Sequence, residues 1–284
     1  MTLRRFFLIL AALAIFVLAW GYRSAASDPV VRQARLDLAS WPAGAAPIRA
    51  VLISDIHVAG PDMPPERLRR IVAQINELRP DLVLIAGDLV SDRPISTRLY
   101  STEESIAPLA GLEPRLGTIA VLGNHDHWRD EGASRRALAA AGVKVLDNDA
   151  VRVGPLAVGG LDDAFTDHDD PAATLAAIRR LPGAKLMLSH SPDPFADLPP
   201  SVGLMVAGHT HCGQVSLPLI GPIVSFSEYG KRYACGLIRE GGKTLIVGAG
   251  LGTSMLPLRI GAPPDMWLIE LRPVRPAAGR SPRR

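Results

Sequence analysis

The sequence predicts a layered α/β domain behind one apolar N-terminal helix. Three observations predict it. Short apolar runs alternate with stretches of helical periodicity from residue 48 to residue 271. Several runs are apolar at every position, as strands covered on both faces must be. Residues 6–20 (FFLILAALAIFVLAW) form an unbroken apolar run preceded by Arg4 and Arg5.

That first run spans fifteen residues, or seventeen through Tyr22. This is at the short end for a membrane helix of about 20 residues, and it also suits the core of a signal peptide. Ser24-Ala25-Ala26 offers small residues where a peptidase could cut. Residues 1–27 are therefore a signal peptide or a transmembrane anchor. Either way the basic residues before the run stay in the cytoplasm, and the chain from residue 28 onward lies outside the cytoplasmic membrane. Arg4-Arg5-Phe6-Phe7-Leu8 also resembles the twin-arginine export signal, although Leu3 stands where Ser or Thr is usual.

Within the body, residues 48–54 read as a strand. Residues 65–79 read as a helix, because Leu68, Ile71, Val72, Ile75 and Leu78 recur at helical spacing and Pro80 ends it. Residues 82–86 form a buried strand, 101–111 are helical, 118–122 a strand, and 131–141 a helix ended by Gly142. Residues 143–146 are a strand, and 151–161 hold two more joined at Gly154-Pro155. A helix at 172–180 and strands at 184–188 and 202–207 follow. Residues 234–238 and 244–247 flank Gly241-Gly242 as a hairpin, and 266–271 close the domain. These elements bound the body at 44–272. The Pro- and Arg-rich segment 273–284 reads as a disordered basic tail. Residues 215–226 (VSLPLIGPIVSF) are apolar without helical spacing, as a packed loop or a lip against lipid would be.

Charge excludes one class of function. Seven of the 31 basic residues lie within the first 23 and last ten positions, leaving 24 against 28 acids in between. The body is thus mildly acidic and shows no basic cluster for nucleic acid. Two cysteines, Cys212 and Cys235, make no disulfide framework. They read as two small half-buried thiols, with a disulfide in an oxidising compartment as the alternative that sequence leaves open.

Metal-ligand residues gather just past the ends of the apolar runs. They are Asp55-Ile56-His57, Gly87-Asp88, Gly123-Asn124-His125-Asp126, His190 and Gly208-His209-Thr210-His211. In open α/β sheets the carboxyl ends of strands form one rim, where sites are built. Asp-x-His spaces two side chains about 7 Å apart on an extended chain, and a bend brings both to one ion. Asp88 could bridge two ions through its two oxygens. Mixed nitrogen and oxygen donors suit Mn²⁺, Fe or Zn²⁺ better than Ca²⁺. Each element alone is weak, since a lone histidine is most often a hydrogen-bonded structural residue. Together the elements take in five of the seven histidines. The other two, His127 and His168, read as solvated or as supporting neighbours.

In this order the elements resemble the calcineurin-like metallophosphoesterases. The chain is most similar to their bacterial membrane-associated or exported branch, through HTHCGQV (209–215), LP (217–218), GLGTS (250–254), PLR (257–259) and PPD (263–265). Cys212 stands where that branch often has Gly. The resemblance implies a four-layer α/β/β/α sandwich and two divalent ions, one held by Asp55, His57 and His211. The other is held by Asn124, His190 and His209, with Asp88 shared. It implies that a hydroxide bridging the ions attacks phosphorus and that His125 stabilises the phosphoryl group or protonates the leaving oxygen. Asp126 would orient His125 or cap the following helix. Lys231, Arg232 and above all Arg259 are candidates for holding substrate phosphate.

The implied substrate is a phosphodiester, phosphomonoester or pyrophosphate, free or lipid-linked. A pyrophosphatase acting on a nucleotide-linked diacylglucosamine is one alternative, and it would require the body to face the cytoplasm. A non-catalytic metal-binding scaffold is another. A zinc hydrolase of amides or β-lactams would carry a His-x-His-x-Asp-His cluster, which the chain lacks. Oligomeric state, native metals and leader cleavage are left open.

Overall fold

The computed structural model describes residues 2–274. Helix α1 (Leu3–Ala25) projects from the body with only Gly21 and Ala25 buried. Its 23 residues rise about 34 Å at ~1.5 Å each, enough to cross a bilayer core of about 30 Å.

In chain order the remaining helices are α2 (Pro65–Glu77), α3 (Thr102–Ile106), α4 (Asn124–Ala140) and α5 (Pro171–Arg180). The strands are β1 (Val30–Leu38), β2 (Ile48–Ile53), β3 (Ala59–Gly60), β4 (Leu82–Ala86), β5 (Arg98–Leu99), β6 (Thr118–Val121), β7 (Val143–Val145) and β8 (Asp149–Val153). They continue with β9 (Leu156–Gly160), β10 (Ala184–Leu188), β11 (Leu204–Ala207), β12 (Ser216–Leu217), β13 (Gly221–Pro222), β14 (Gly236–Glu240), β15 (Lys243–Val247) and β16 (Asp265–Pro273).

Two six-stranded sheets dominate, ordered β1-β16-β2-β4-β6-β7 and β14-β15-β11-β10-β9-β8. The inner run of each is parallel. The two-residue side-chain period of a strand sorts the core into layers. Ala50, Leu52, Leu82 and Leu84 of the first sheet meet Leu186, Leu188, Leu204 and Val206 of the second between the sheets. The intervening Val51, Ile53, Val83 and Ile85 face away, against Leu68, Ile71 and Ile75 of α2 and Leu138 of α4. Met187 and Met205 lie on the outer face of the second sheet with Phe195, Leu198 and Tyr233, and Leu175 of α5 packs there. The result is the expected α/β/β/α sandwich, and it explains why β4 and β11 are apolar at every position.

Three local differences from expectation have physical causes. The body begins before residue 44, because β1 pairs with β16 over nine residues. Charges at Arg32, Arg35 and Asp37 hide this strand, although Ala34, Leu36 and Leu38 are buried between them. Charged edge strands are a common guard against stray pairing. Helix α4 begins at Asn124, not 131, and bends at Asp130 (φ −172°, ψ 96°). There the Asp130 carboxylate accepts from Ala133 N at 2.8 Å and starts a second helical segment. Residues 101–111 hold α3 and a 3₁₀ turn, Ala107–Gly111, rather than one helix. The strand β16 runs to Pro273, and residues 275–284 of the expected tail lie outside the described residues.

Leu84 sits fully buried on the central strand, facing the second sheet. Leu84→Ala should cost about 2–5 kcal/mol through lost burial and the cavity left behind. A lower urea midpoint at an unchanged slope would show it, in the full chain held in detergent.

Candidate metal centre

Sharp bends at strand ends gather the candidate ligands. Asp55, His57, Asp88, His209 and His211 all have positive φ, at 48°, 45°, 56°, 70° and 51°. Non-glycine residues enter this region at a cost of roughly 1 kcal/mol or more, and such strain clusters at functional sites. Each bend turns the chain back after an extended strand, so residues two apart reach one pocket. Neighbouring glycines leave the room. A Cβ on Gly208 would stand 2.5 Å from an Asp55 oxygen, and one on Gly123 would stand 2.7 Å from Asp88 N.

All seven expected ligand residues come together, and all are buried. Asp55, His57 and His211 form one group, with their donor atoms within 4.8 Å of one another. His57 Nε2 and His211 Nε2 face each other at 3.1 Å. Asn124, His190 and His209 form a second group, in which Asn124 Oδ1 lies 3.1 Å from both His190 Nε2 and His209 Nδ1. His190 Nδ1 donates to the Ala86 carbonyl at 2.7 Å, which leaves Nε2 turned inward. Between the groups lies Asp88 Oδ2, 3.3 Å from His57 Nε2 and 3.3 Å from His190 Nε2. The outer nitrogens of His57 (Nδ1) and His209 (Nε2) have no hydrogen-bond partner. Converging imidazole nitrogens and carboxylate oxygens fit two cations with mixed nitrogen and oxygen donors.

Electrostatics favours neutral imidazoles on most of this set. Burial lowers His57 and His209 to about 3 and holds His211 well below its usual value. Burial also works against the His190 cation, yet Asp88 and Asp55 beside it carry its pKa well above normal. Burial and the neighbouring Asp88 raise Asp55 to about 6. For Asp88, burial opposes ionisation, but His190, His125 and His57 hold its carboxyl well below the usual range.

His125 stands at the mouth of the site. Its backbone N donates to Asp88 Oδ1 at 2.9 Å, and its Nδ1 lies 2.5 Å from Asp92 Oδ1. Asp92 was missed in the sequence, where its only signal is a carboxylate four residues after Asp88. Asp126 does not orient His125. It caps the chain, accepting from Gly123 N, Leu89 N and Val90 N at 3.0, 3.0 and 3.2 Å. His127 points elsewhere, to Asp162 at 2.9 Å, and its ring stacks on His168. A cleft of about 190 Å³ covers the centre, rimmed by Trp128, Phe165, Phe226 and Met255. Periodicity gave no sign of this apolar rim.

The expected phosphate contact by Arg259 is corrected. Arg259 is fully buried, and it donates to the carbonyls of Ala249, Gly250, Gly252 and Ala262 at 2.5–3.2 Å. Burial lowers its pKa to about 10. Its role is to fold the 249–262 loop behind His211. Lys231 and Arg232 are exposed and bind Ile220 O and Glu240, not the cleft. The half-buried thiols are also corrected, since Cys212 and Cys235 form a disulfide.

The calcineurin-like phosphoesterase family model matches residues 48–213, which span both halves of the metal centre. The chain belongs to that family. An uncharacterised metallophosphoesterase of Bacillus subtilis (strain 168), YkuE, is 34% identical over 218 residues, covering 73% of each chain. The phosphodiesterase YaeI of Escherichia coli (strain K12) is 30% identical over 282 residues, 94% of this chain and 98% of that one. A zebrafish (Danio rerio) transmembrane protein with a metallophosphoesterase domain is 30% identical over 93% of this chain, which spans 62% of its length.

Arg259→Ala should leave four buried carbonyls short of donors and lower stability by about 2–5 kcal/mol. Thermal unfolding with and without phosphate measures it. A higher KM at unchanged stability would restore the substrate-binding role.

Proposed function

We propose that this protein is a two-metal phosphoesterase that cleaves phosphodiesters outside the cytoplasmic membrane. The observation that carries the reading is Asp88 Oδ2, equidistant at 3.3 Å from an imidazole nitrogen of each donor group. Asp55, His57 and His211 would hold one ion, Asn124, His190 and His209 the other, and Asp88 both. When bound, two divalent ions supply positive charge to a phosphoryl group and make water acidic at neutral pH. Mn, Fe and Zn all suit the donor set.

The chain's own residues position and finish the reaction. Asp92 accepts from His125 Nδ1, which leaves Nε2 free for the cleft. There the imidazolium donates a proton to the departing ester oxygen. Edge contacts with His57 and Trp128, at centroid distances of 4.8 and 5.0 Å, hold the ring upright. The apolar rim limits water in the cleft and so strengthens these charges.

Two features support the extracytoplasmic location. Arg4 and Arg5 precede α1, and basic flanks stay inside. A Cys212–Cys235 disulfide persists in oxidising compartments and is rare in the cytosol. The phosphodiester preference is supported by the Escherichia coli relative, whose name is phosphodiesterase.

Two substitutions test the assignment on bis(4-nitrophenyl) phosphate with metal content measured alongside. Asp88→Asn should lower bound metal at both positions, and unchanged content would remove its bridging role. His125→Ala should keep its metal and lose about 10²–10⁴ in turnover, the range for general acid catalysis. A parent protein that binds two ions but turns over no ester would instead be a metal-binding scaffold.

A further inference from the structure

An uncharged stretch beside the site is exposed where a folded body would ordinarily bury it. Residues 215–226 carry no charge. They form a narrow hairpin of β12 and β13, Ser216 opposite Pro222 and Leu217 opposite Gly221. Leu219 at its tip is fully exposed, and Ile220, Ile223 and Val224 are more than half exposed. Met255 and Leu256, in the neighbouring uncharged loop 254–258, add to the same face. Among the described residues none covers these side chains. Contiguous apolar surface of this kind marks a place where another apolar phase docks.

The position of α1 says which phase. Its last turn and the root of the hairpin grip the same three residues. Arg259 N donates to Gly21 O at 3.0 Å, and Leu258 closes on Gly21. On the other side Ser216 N donates to Ile260 O at 2.8 Å, and Ile260 N to Gln214 O at 3.0 Å. A helix that crosses a bilayer leaves it at the headgroup layer, so a hairpin rooted one strand from that exit lies at the same level. Lys231 Nζ donates to Ile220 O at 2.6 Å and stays exposed beside the turn. An ammonium flanking inserted apolar side chains fits lipid phosphates.

The cleft opens through this same face. Phe226 ends the hairpin segment and Met255 belongs to the second loop, and both rim the cleft. The Phe226 ring centroid lies 6.1 Å from that of His209. The hairpin lies beyond residues 48–213, so it is outside the part of the chain that the family model matches.

We propose that the 216–226 hairpin and the 254–258 loop form a wedge seated in the headgroup layer of the bilayer that α1 enters. The cleft then receives phosphodiesters borne by amphiphiles, whose apolar part stays in that layer. This inference rests on the phosphoesterase reading above and on α1 as a membrane segment.

The full chain in phosphatidylcholine vesicles with an anionic lipid admixture provides the test. Two substrates are compared: soluble bis(4-nitrophenyl) phosphate and a vesicle-borne phosphatidyl 4-nitrophenyl ester. Leu219→Glu with Ile223→Glu should reduce hydrolysis of the lipid ester about tenfold or more, since the burial of two large apolar side chains is lost. Hydrolysis of the soluble ester should hold. Equal loss on both substrates, or no loss on either, overturns the proposal. So does a parent that cleaves only the soluble ester.

A second arm reads docking without catalysis. Leu219→Trp should add fluorescence that lipids brominated near the headgroup quench, relative to the parent with its own Trp20, Trp41, Trp128 and Trp267. No added quenching overturns the wedge. If the parent cleaves neither ester, the phosphoesterase reading fails, and the quenching arm still decides the docking surface.

Discussion

The site depends on one buried aspartate that organises backbone on both sides of it. The Asp88 carbonyl accepts from Ile56 N at 2.8 Å and His57 N at 3.0 Å, which fixes the bend after β2. Its Oδ1 accepts from His125 N at 2.9 Å, which fixes the first turn of α4. Its Oδ2 faces imidazoles from both donor groups. A buried carboxylate without such partners would be strongly unfavourable. Its charge is tolerable because Oδ1 accepts a backbone donor and Oδ2 faces two imidazoles and a position fit for a cation. The fold thus places Asp88, the proposed shared ligand, at the end of the central strand β4, where neighbouring parallel strands on both sides hold it rigidly.

Holding that arrangement carries a local cost that other residues offset. Five left-handed residues and two unpartnered imidazole nitrogens sit within one buried cluster. Two buried arginines answer this from the loop behind it. Arg259 satisfies the carbonyls of 249–262, and Arg93 joins Asp62, Gly60 O and Thr253. Thr253 in turn donates to Asp62 Oδ2 at 2.8 Å. Breaking one member of such a network leaves an uncompensated buried charge. The rigidity that positions the candidate ligands therefore comes from charged groups that are buried and do not line the cleft.

This division explains what the sequence reveals. Ligands such as Asp55 and His190 are legible because they end apolar runs, and a strand end has a fixed place in an open sheet. The layers are legible because β4 and β11 are apolar throughout. Arg259 misleads, since sequence reports a positive charge but not the carbonyls that surround it. Asp92 is invisible because its pairing with His125 depends on the loop after β4 meeting the first turn of α4. Strand β1 is masked by charges on its exposed face, although its alternation of Ala34, Leu36 and Leu38 is present. The Cys212–Cys235 pair spans 23 residues and needs the fold to bring its members together.

That disulfide couples the two ends of the mechanism. Cys212 follows His211, and Cys235 follows the apolar hairpin, so the bond closes a loop that contains the 216–226 hairpin, the first of the two segments proposed to face lipid. Thr210 Oγ1 adds a second tie by donating to Ala234 O at 2.7 Å. Closing a loop of this length removes chain entropy that would otherwise let the segment wander. The residues proposed to face the membrane are therefore held at a fixed height above His211, a proposed metal ligand. A phosphoester in a headgroup layer lies at a defined depth, and a centre that acts on it must be set at that depth. The short covalent path from His211 through Cys212 to the base of the hairpin provides that setting.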